Sequence, residues 1–264
     1  MNKDKVLDCL RSIEKEHQVT VLLAVCYGSR CFGYASADSD WDVRFVYVHR
    51  PQWYFSLEKT VDTIEFMDPT EGLDLVGYDI KKAVELLTRT NPTLSDWLHA
   101  DSFLIVDENF RRELLSIESM YYSTHRAMHH FFSMGVKQNF PHLVKEACLK
   151  RFIYYLRYLL ACQWTEQYGT HPPVNIDTLI DATMHEAGPL REKAHALFEL
   201  KRSGKAFDDI IVDSDIFHYM RGVHAHVEEY LHHSSGGGPA ADHSSLSRFI
   251  MQTVLQTTAE CQAH

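Results

Sequence analysis

VTVLLAVCYGSRCFGYASADSDWDVRFVYV, residues 19–48, is the stretch from which the rest of the chain can be read. Its opening run, Val19–Tyr27, is apolar and rich in β-branched side chains, with no polar alternation. That is the composition of a strand covered on both faces. The run ends abruptly at Gly28-Ser29, where a residue without Cβ lets the backbone turn sharply and lie close to a ligand. A polar connection, Arg30–Ser39, leads to Asp40-Trp41-Asp42, and Trp41–Val48 reads as a second strand. Side chains alternate along a strand, so Asp40, Asp42 and Arg44 share one face. Trp41, Val43 and Phe45 point the other way, into apolar packing.

Working outward, residues 4–16 form a helix with Val6, Leu7, Leu10 and Ile13 on one side. Residues 60–67 are a third strand and Leu73–Tyr78 a fourth. Asp79 then caps a helix that stops at Asn91-Pro92. Beyond residue 93 the pattern turns helical, with a long apolar segment over Leu143–Tyr168 that marks the centre of a bundle. Pro172-Pro173 breaks it, and helices follow at about 176–186, 189–202 and 215–232. Residues 234–242 (SSGGGPAAD) read as a flexible linker before a last amphipathic helix. The expected division is an α/β part at 1–107 and an α-helical part at 108–264, an α+β chain.

Composition narrows the function classes. The 264 residues carry a formal charge of −10, so no chain-wide basic surface exists to hold a long nucleic acid. No run approaches the roughly 20 apolar residues of a membrane span. The first residues also lack a secretory pattern, so a soluble cytoplasmic protein is expected. The six cysteines show no CxxC spacing and read as reduced thiols. His125 and His129 lie four apart, but no third ligand suggests itself, which argues against zinc.

Gly28-Ser29 and the acids ahead of it carry the chemistry. Exposed amides at the turn, with the Ser29 hydroxyl, can donate to phosphate oxygens. Two carboxylates about 7 Å apart on one strand face repel unless a cation lies between them, and Mg2+ is the natural guest. A bland solvated turn does not explain acids alternating within an apolar strand. Asp74, an acid inside the apolar fourth strand, is the choice for a third carboxylate. Asp79 is its rival, although N-capping suits it better, and Asp62 is a weaker candidate. Arg30 can reach a phosphate, while Arg44 can equally orient a carboxylate. Lys150, Tyr154 and Arg157 form a helical stripe suited to holding a donor's phosphates and stacking on its base. Lys81 and Lys82 read as solvated.

Gly28–Val48 resembles the nucleotidyltransferase signature of the DNA polymerase beta superfamily. More narrowly it is similar to the RNA-repair-pathway DNA polymerase beta family. The likeness continues through LDLVGYDIKKAVELLTRTNPTLSDWL (73–98), KRFIYYLRYLLACQW (150–164) and Pro172-Pro173. The resemblance implies a short mixed sheet with flanking helices, followed by an α-helical bundle. It also implies an NTP donor such as ATP, with two Mg2+ ions, or Mn2+ in their place, on Asp40, Asp42 and Asp74. The expected reaction moves a nucleotidyl group to an acceptor hydroxyl on an RNA end, a protein or a small molecule, and releases pyrophosphate. An alternative is a non-catalytic nucleotide-binding or toxin-neutralising module on the same fold. A sugar-nucleotide glycosyltransferase is disfavoured, because no βαβ unit precedes Asp40.

Overall fold

A computed structural model describes residues 2–58, 60–137, 149–204 and 213–263. Asn2 caps the first helix, α1 (Lys3–His17), through a hydrogen bond from Lys5 N, and Gln18 ends it in the left-handed region at φ 53°. Val6, Leu10 and Ile13 form its buried stripe. β1 (Val19–Cys26) follows, nearly all of it buried, as its unbroken apolar run requires. Then come a single helical turn, α2 (Gly28–Cys31), and β2 (Trp41–His49). After α3 (Pro51–Tyr54) the chain makes a hairpin of β3 (Thr63–Asp68) and β4 (Leu73–Asp79).

The sheet order is β3-β4-β2-β1, with β5 (Phe103–Val106) at the far edge. β2 and β4 run parallel and the other pairings are antiparallel, so the sheet is mixed. The even-numbered β2 residues Val46 and Val48 pack toward the helical half, while Val43, Phe45 and Tyr47 pack under α1. Gly77 is required on the α1 side: a Cβ there would lie 2.1 Å from the Phe45 ring.

The helices are α4 (Ile80–Thr88), α5 (Pro92–Leu98), α6 (Glu108–Tyr121), α7 (Thr124–Val136), α8 (Leu149–Tyr168), α9 (Ile176–Thr183), α10 (Pro189–Arg202), α11 (Ser214–His233) and α12 (His243–Ala263). The fold is α+β. One continuous core joins Leu23, Val25, Val46 and Val48 of the sheet to Leu156, Leu160, Phe198 and Val227 of the helices. Residues 143–148 of the expected long helix lie outside the described residues.

Two local expectations need correction. β5 is a fifth strand in a region read as helical; its four residues are too few to show a period, and only antiparallel pairing with β1 defines it. Asn91-Pro92 was expected only to stop a helix. Asn91 also opens α5, accepting from Thr93 N and Leu94 N, with Pro92 in the first turn. Among the described residues no helix is long and apolar enough to cross a membrane.

Candidate active site

The site forms where the end of β1 meets the beginnings of β2 and β4. Tyr27 N donates to Asp42 O at 2.6 Å, holding the end of β1 against the start of β2. The chain then turns at Gly28, whose φ is +62°. A Cβ on Gly28 would sit 2.3 Å from Asp42 Oδ2, so glycine alone lets this turn lie against the carboxylate. A second glycine does the same for Asp40. Gly72, also at φ +62°, would bring a Cβ within 2.8 Å of Asp40 Oδ1, and its carbonyl accepts from Trp41 N at 2.7 Å.

The parallel register of β2 and β4 sets Asp42 directly beside Asp74. Residues paired in this way share a sheet face about 4.8 Å apart. Asp40, Asp42 and Asp74 therefore gather at one corner beside the Gly28 turn, on the side of the sheet that faces the helical half. Burial pushes the Asp42 carboxyl above its usual range; Arg44 pulls it down, and Asp74 and Asp40 push it up again.

Arg44 is the counter-charge inside this group. Its Nη2 lies 2.8 Å from Asp74 Oδ2 and 3.8 Å from Asp42 Oδ1, and its Nη1 donates to the backbone oxygens of Asp74 and Val43. Of the two uses the sequence allowed, the structure shows carboxylate pairing. Arg30 likewise binds protein. Its Nη2 donates to Ser39 O at 2.7 Å and its Nε to Asp40 O at 3.2 Å, while its guanidinium lies 4.4 Å over the Trp41 ring. It thus braces the loop that presents Asp40. Ser29 is half-exposed at the turn, and its carbonyl accepts from Tyr34 N.

The expected helical stripe on α8 divides. Lys150 is exposed and close enough to Asp42 to favour its ionised form. Tyr154 is half-buried and packs edge-on against Tyr34. For Arg157 the expectation is corrected: it is buried behind the turn and not presented to a ligand, its side chain being 1% exposed and paired with Asp96 at 3.1 Å. Apolar neighbours all round that helix turn draw it into the core, where only a carboxylate can satisfy it. Asp79 is a cap as read, accepting from Lys81 N at 2.8 Å and from the Tyr54 hydroxyl at 2.7 Å. Asp62 is exposed and paired with Lys82.

Lys201, at the end of α10, was not singled out by sequence. It is half-buried; burial lowers its ammonium pKa, nearby Lys150 lowers it further and Asp40 opposes them. Neighbouring Arg202 fixes this helix end to the loop, donating from Nε to Gly33 O at 2.7 Å. In the sequence these cations look like ordinary helix C-terminal residues, and only docking onto residues 33–36 brings Lys201 to the acids.

Oxygen donors of this kind suit a hard divalent ion. The cradle that Gly28 leaves beside Asp42 fits one, as does a carboxyl whose pKa is raised chiefly by burial and further by Asp74 and Asp40. Among the described residues no three His, Cys, Asp or Glu side chains form a ready metal-holding group. Here Arg44 supplies the positive charge between Asp42 and Asp74.

The model of the RNA repair pathway DNA polymerase beta family matches residues 2–248. Uncharacterized protein YcgL of Bacillus subtilis (strain 168) is 34% identical over 208 residues, which cover 78% of this chain and 79% of that protein. A crystal structure of a nucleotidyltransferase-like protein from Exiguobacterium sibiricum 255-15 aligns over 83% of this chain and 73% of its own, with 13% identity and a TM-score of 0.33.

Proposed function

We propose that this chain, which belongs to the RNA repair pathway DNA polymerase beta family, transfers a nucleotidyl group from an NTP to an acceptor hydroxyl and releases pyrophosphate. The observation that carries the reading is the register pairing of Asp42 with Asp74, with Gly28 packed on the Asp42 carboxylate. Asp40, Asp42 and Asp74 would hold Mg2+, whose chemistry when bound is to neutralise the triphosphate. Mn2+ suits the same oxygen donors.

The protein's own groups then divide the work. Amides of the Gly28-Ser29 turn and the Ser29 hydroxyl donate to phosphate oxygens. Lys150 and Lys201, from the helical side, face the acids and pair with the outer phosphates as they enter. Asp74, on the strand beside Asp42, accepts a hydrogen bond from the attacking hydroxyl and takes its proton as the oxygen approaches phosphorus. Arg44 holds Asp74 in orientation through its 2.8 Å contact. Holding nucleophile and phosphate in line is where most of the acceleration in phosphoryl transfer arises.

Purified protein incubated with each NTP, Mg2+ and a mixed RNA pool tests this by pyrophosphate release and mass spectrometry. A nucleotide-sized mass gain on RNA, on the protein or on a small molecule identifies the acceptor. The second reading, a nucleotide-binding module without turnover, draws on Arg44, which already neutralises Asp74. It predicts calorimetric ATP binding with no pyrophosphate from any NTP, and that result would overturn catalysis.

A further inference from the structure

Among the described residues, the most heavily bonded buried carboxylate lies outside the three acids above. Asp96, on α5, is 2% exposed. Its Oδ2 accepts from the Tyr27 hydroxyl at 3.1 Å, and its Oδ1 accepts from Arg157 Nη2 and bonds His171 Nε2, each at 3.1 Å. Burial alone would raise its pKa, but Arg157, His171 and Tyr27 together hold it below the usual carboxylate range.

Two of those partners lead directly to the Gly28 turn. Tyr27 precedes Gly28, and its own N–H donates to Asp42 O. Its ring stands 5.2 Å from Phe32 and lies 5.8 Å beneath the Arg44 guanidinium. Arg157, drawn to Asp96, lays its guanidinium 3.7 Å over the Phe32 ring. Phe32 is the residue that closes the turn, donating from N to Gly28 O at 3.0 Å. Asp96 therefore grips both flanks of residues 28–31, one by a hydroxyl and the other by a stacked cation.

Stability does not account for such a group. Well-packed apolar residues of similar volume commonly replace a buried ion pair without loss. What Asp96 and its three partners add is direction: each bond has a preferred length and angle, which narrows the positions open to the rings on either side of the turn.

We propose that Asp96 is a positioning residue for the phosphate-binding turn, acting through Tyr27 and through Arg157 on Phe32. Its role for phosphate rests on the proposed nucleotidyl transfer, whereas its hold on residues 27–32 does not. The full-length chain is compared with Tyr27→Phe, which removes only the hydroxyl, and with Asp96→Asn, which keeps an acceptor for Tyr27 but loses the charge. Two measurements separate the parts.

Hydrogen–deuterium exchange of the NTP-free proteins reads the turn itself. Exchange over residues 27–32 should rise about tenfold in Tyr27→Phe, the scale of one lost hydrogen bond, while β1 and β2 stay protected. Steady-state kinetics then read the site. The KM for NTP should rise about tenfold with kcat nearly unchanged, because the turn binds triphosphate alike before and during reaction. Asp96→Asn should show both effects more strongly, and if it fails to fold Tyr27→Phe carries the test alone. Unchanged exchange at residues 27–32 in a folded Tyr27→Phe overturns the proposal, as does a wild-type KM beside wild-type turnover. An exchange difference in a protein that takes up no NTP in Mg2+ leaves the grip standing and removes the nucleotide reading instead.

Discussion

Gly28→Ala separates the two demands made on that glycine. The backbone at φ +62° costs an alanine about 1–2 kcal/mol wherever it occurs. In a chain of this size that lowers Tm by about 2–8 °C. The new methyl would also meet Asp42 Oδ2 at 2.3 Å, more than about 1 Å inside ordinary contact. Because the turn is held by the Tyr27–Asp42 backbone bond, the carboxylate must give way. A displacement of about 1 Å in a catalytic group reduces rate on the order of 100-fold. The control is Gly169→Ala: φ is +66°, but the nearest atom to its Cβ is Thr124 Oγ1 at 3.8 Å. Both variants should lose comparable Tm by calorimetry, and only Gly28→Ala should lose pyrophosphate release. Gly28→Ala with wild-type release refutes the placement of Asp42 as a reacting-site ligand, and an equal loss in Gly169→Ala refutes the contact argument.

Asp42→Asn should abolish pyrophosphate release yet raise Tm in EDTA at neutral pH. With its pKa raised by burial and by Asp74 and Asp40, the folded state binds this proton more tightly than the unfolded chain, so stability falls as pH climbs through the carboxylate range toward the raised value; a lower Tm in EDTA would contradict that sign. Mg2+ should raise the Tm of the wild type and leave this variant unmoved in the same thermal-shift series. Lys201→Gln should raise KM for NTP about tenfold with kcat little changed, as expected for a lost charge-assisted phosphate contact, and an unaltered KM removes it from the site. Asp79→Ala should cost about 1–2 kcal/mol through the lost cap of α4, seen as a lower Tm with turnover intact; lost turnover at normal Tm would restore Asp79 as a rival for the third carboxylate.

The near half of the site was legible because its geometry is local. Strand alternation fixes Asp42 and Arg44 on one face whatever else the chain does, and Gly28 marks a backbone conformation other residues avoid. Asp74 could be proposed because an acid in LDLV lacks an excuse in a core strand, and the family resemblance grouped it with Asp40 and Asp42, but the strand register could not be read. The parallel pairing that seats it beside Asp42 joins residues 32 apart in sequence, and no periodicity reports a register. Arg157 shows the limit of stripe arguments. Helical spacing puts it in line with Lys150, yet the two differ in burial, which depends on neighbours such as Phe32 and Asp96 that spacing alone does not specify. Asp96 carried no signal either, since a single acid in PTLSDWL reads as a solvated helix residue until Trp97 and Leu98 are seen buried around it.

Those two failures have one cause. The helical half shares its core with the sheet, and on the proposed reading it forms the opposite wall of the site. The face of β2 that bears Asp42 and Arg44 also bears Val46 and Val48, and these pack into the same core as α8 and α10. Any helix that covers the valines must therefore run past the acids as well. α10 reaches the loop at Gly33 through Arg202, and α8 reaches Phe32 through Arg157. The acids attract Lys150 and Lys201 to the open end of this interface, and Asp96 draws Arg157 to its closed end. On the proposed reading, a chain with a net charge of −10 still offers a triphosphate a local cationic wall, because packing gathers cations from two distant helices onto one corner of the sheet.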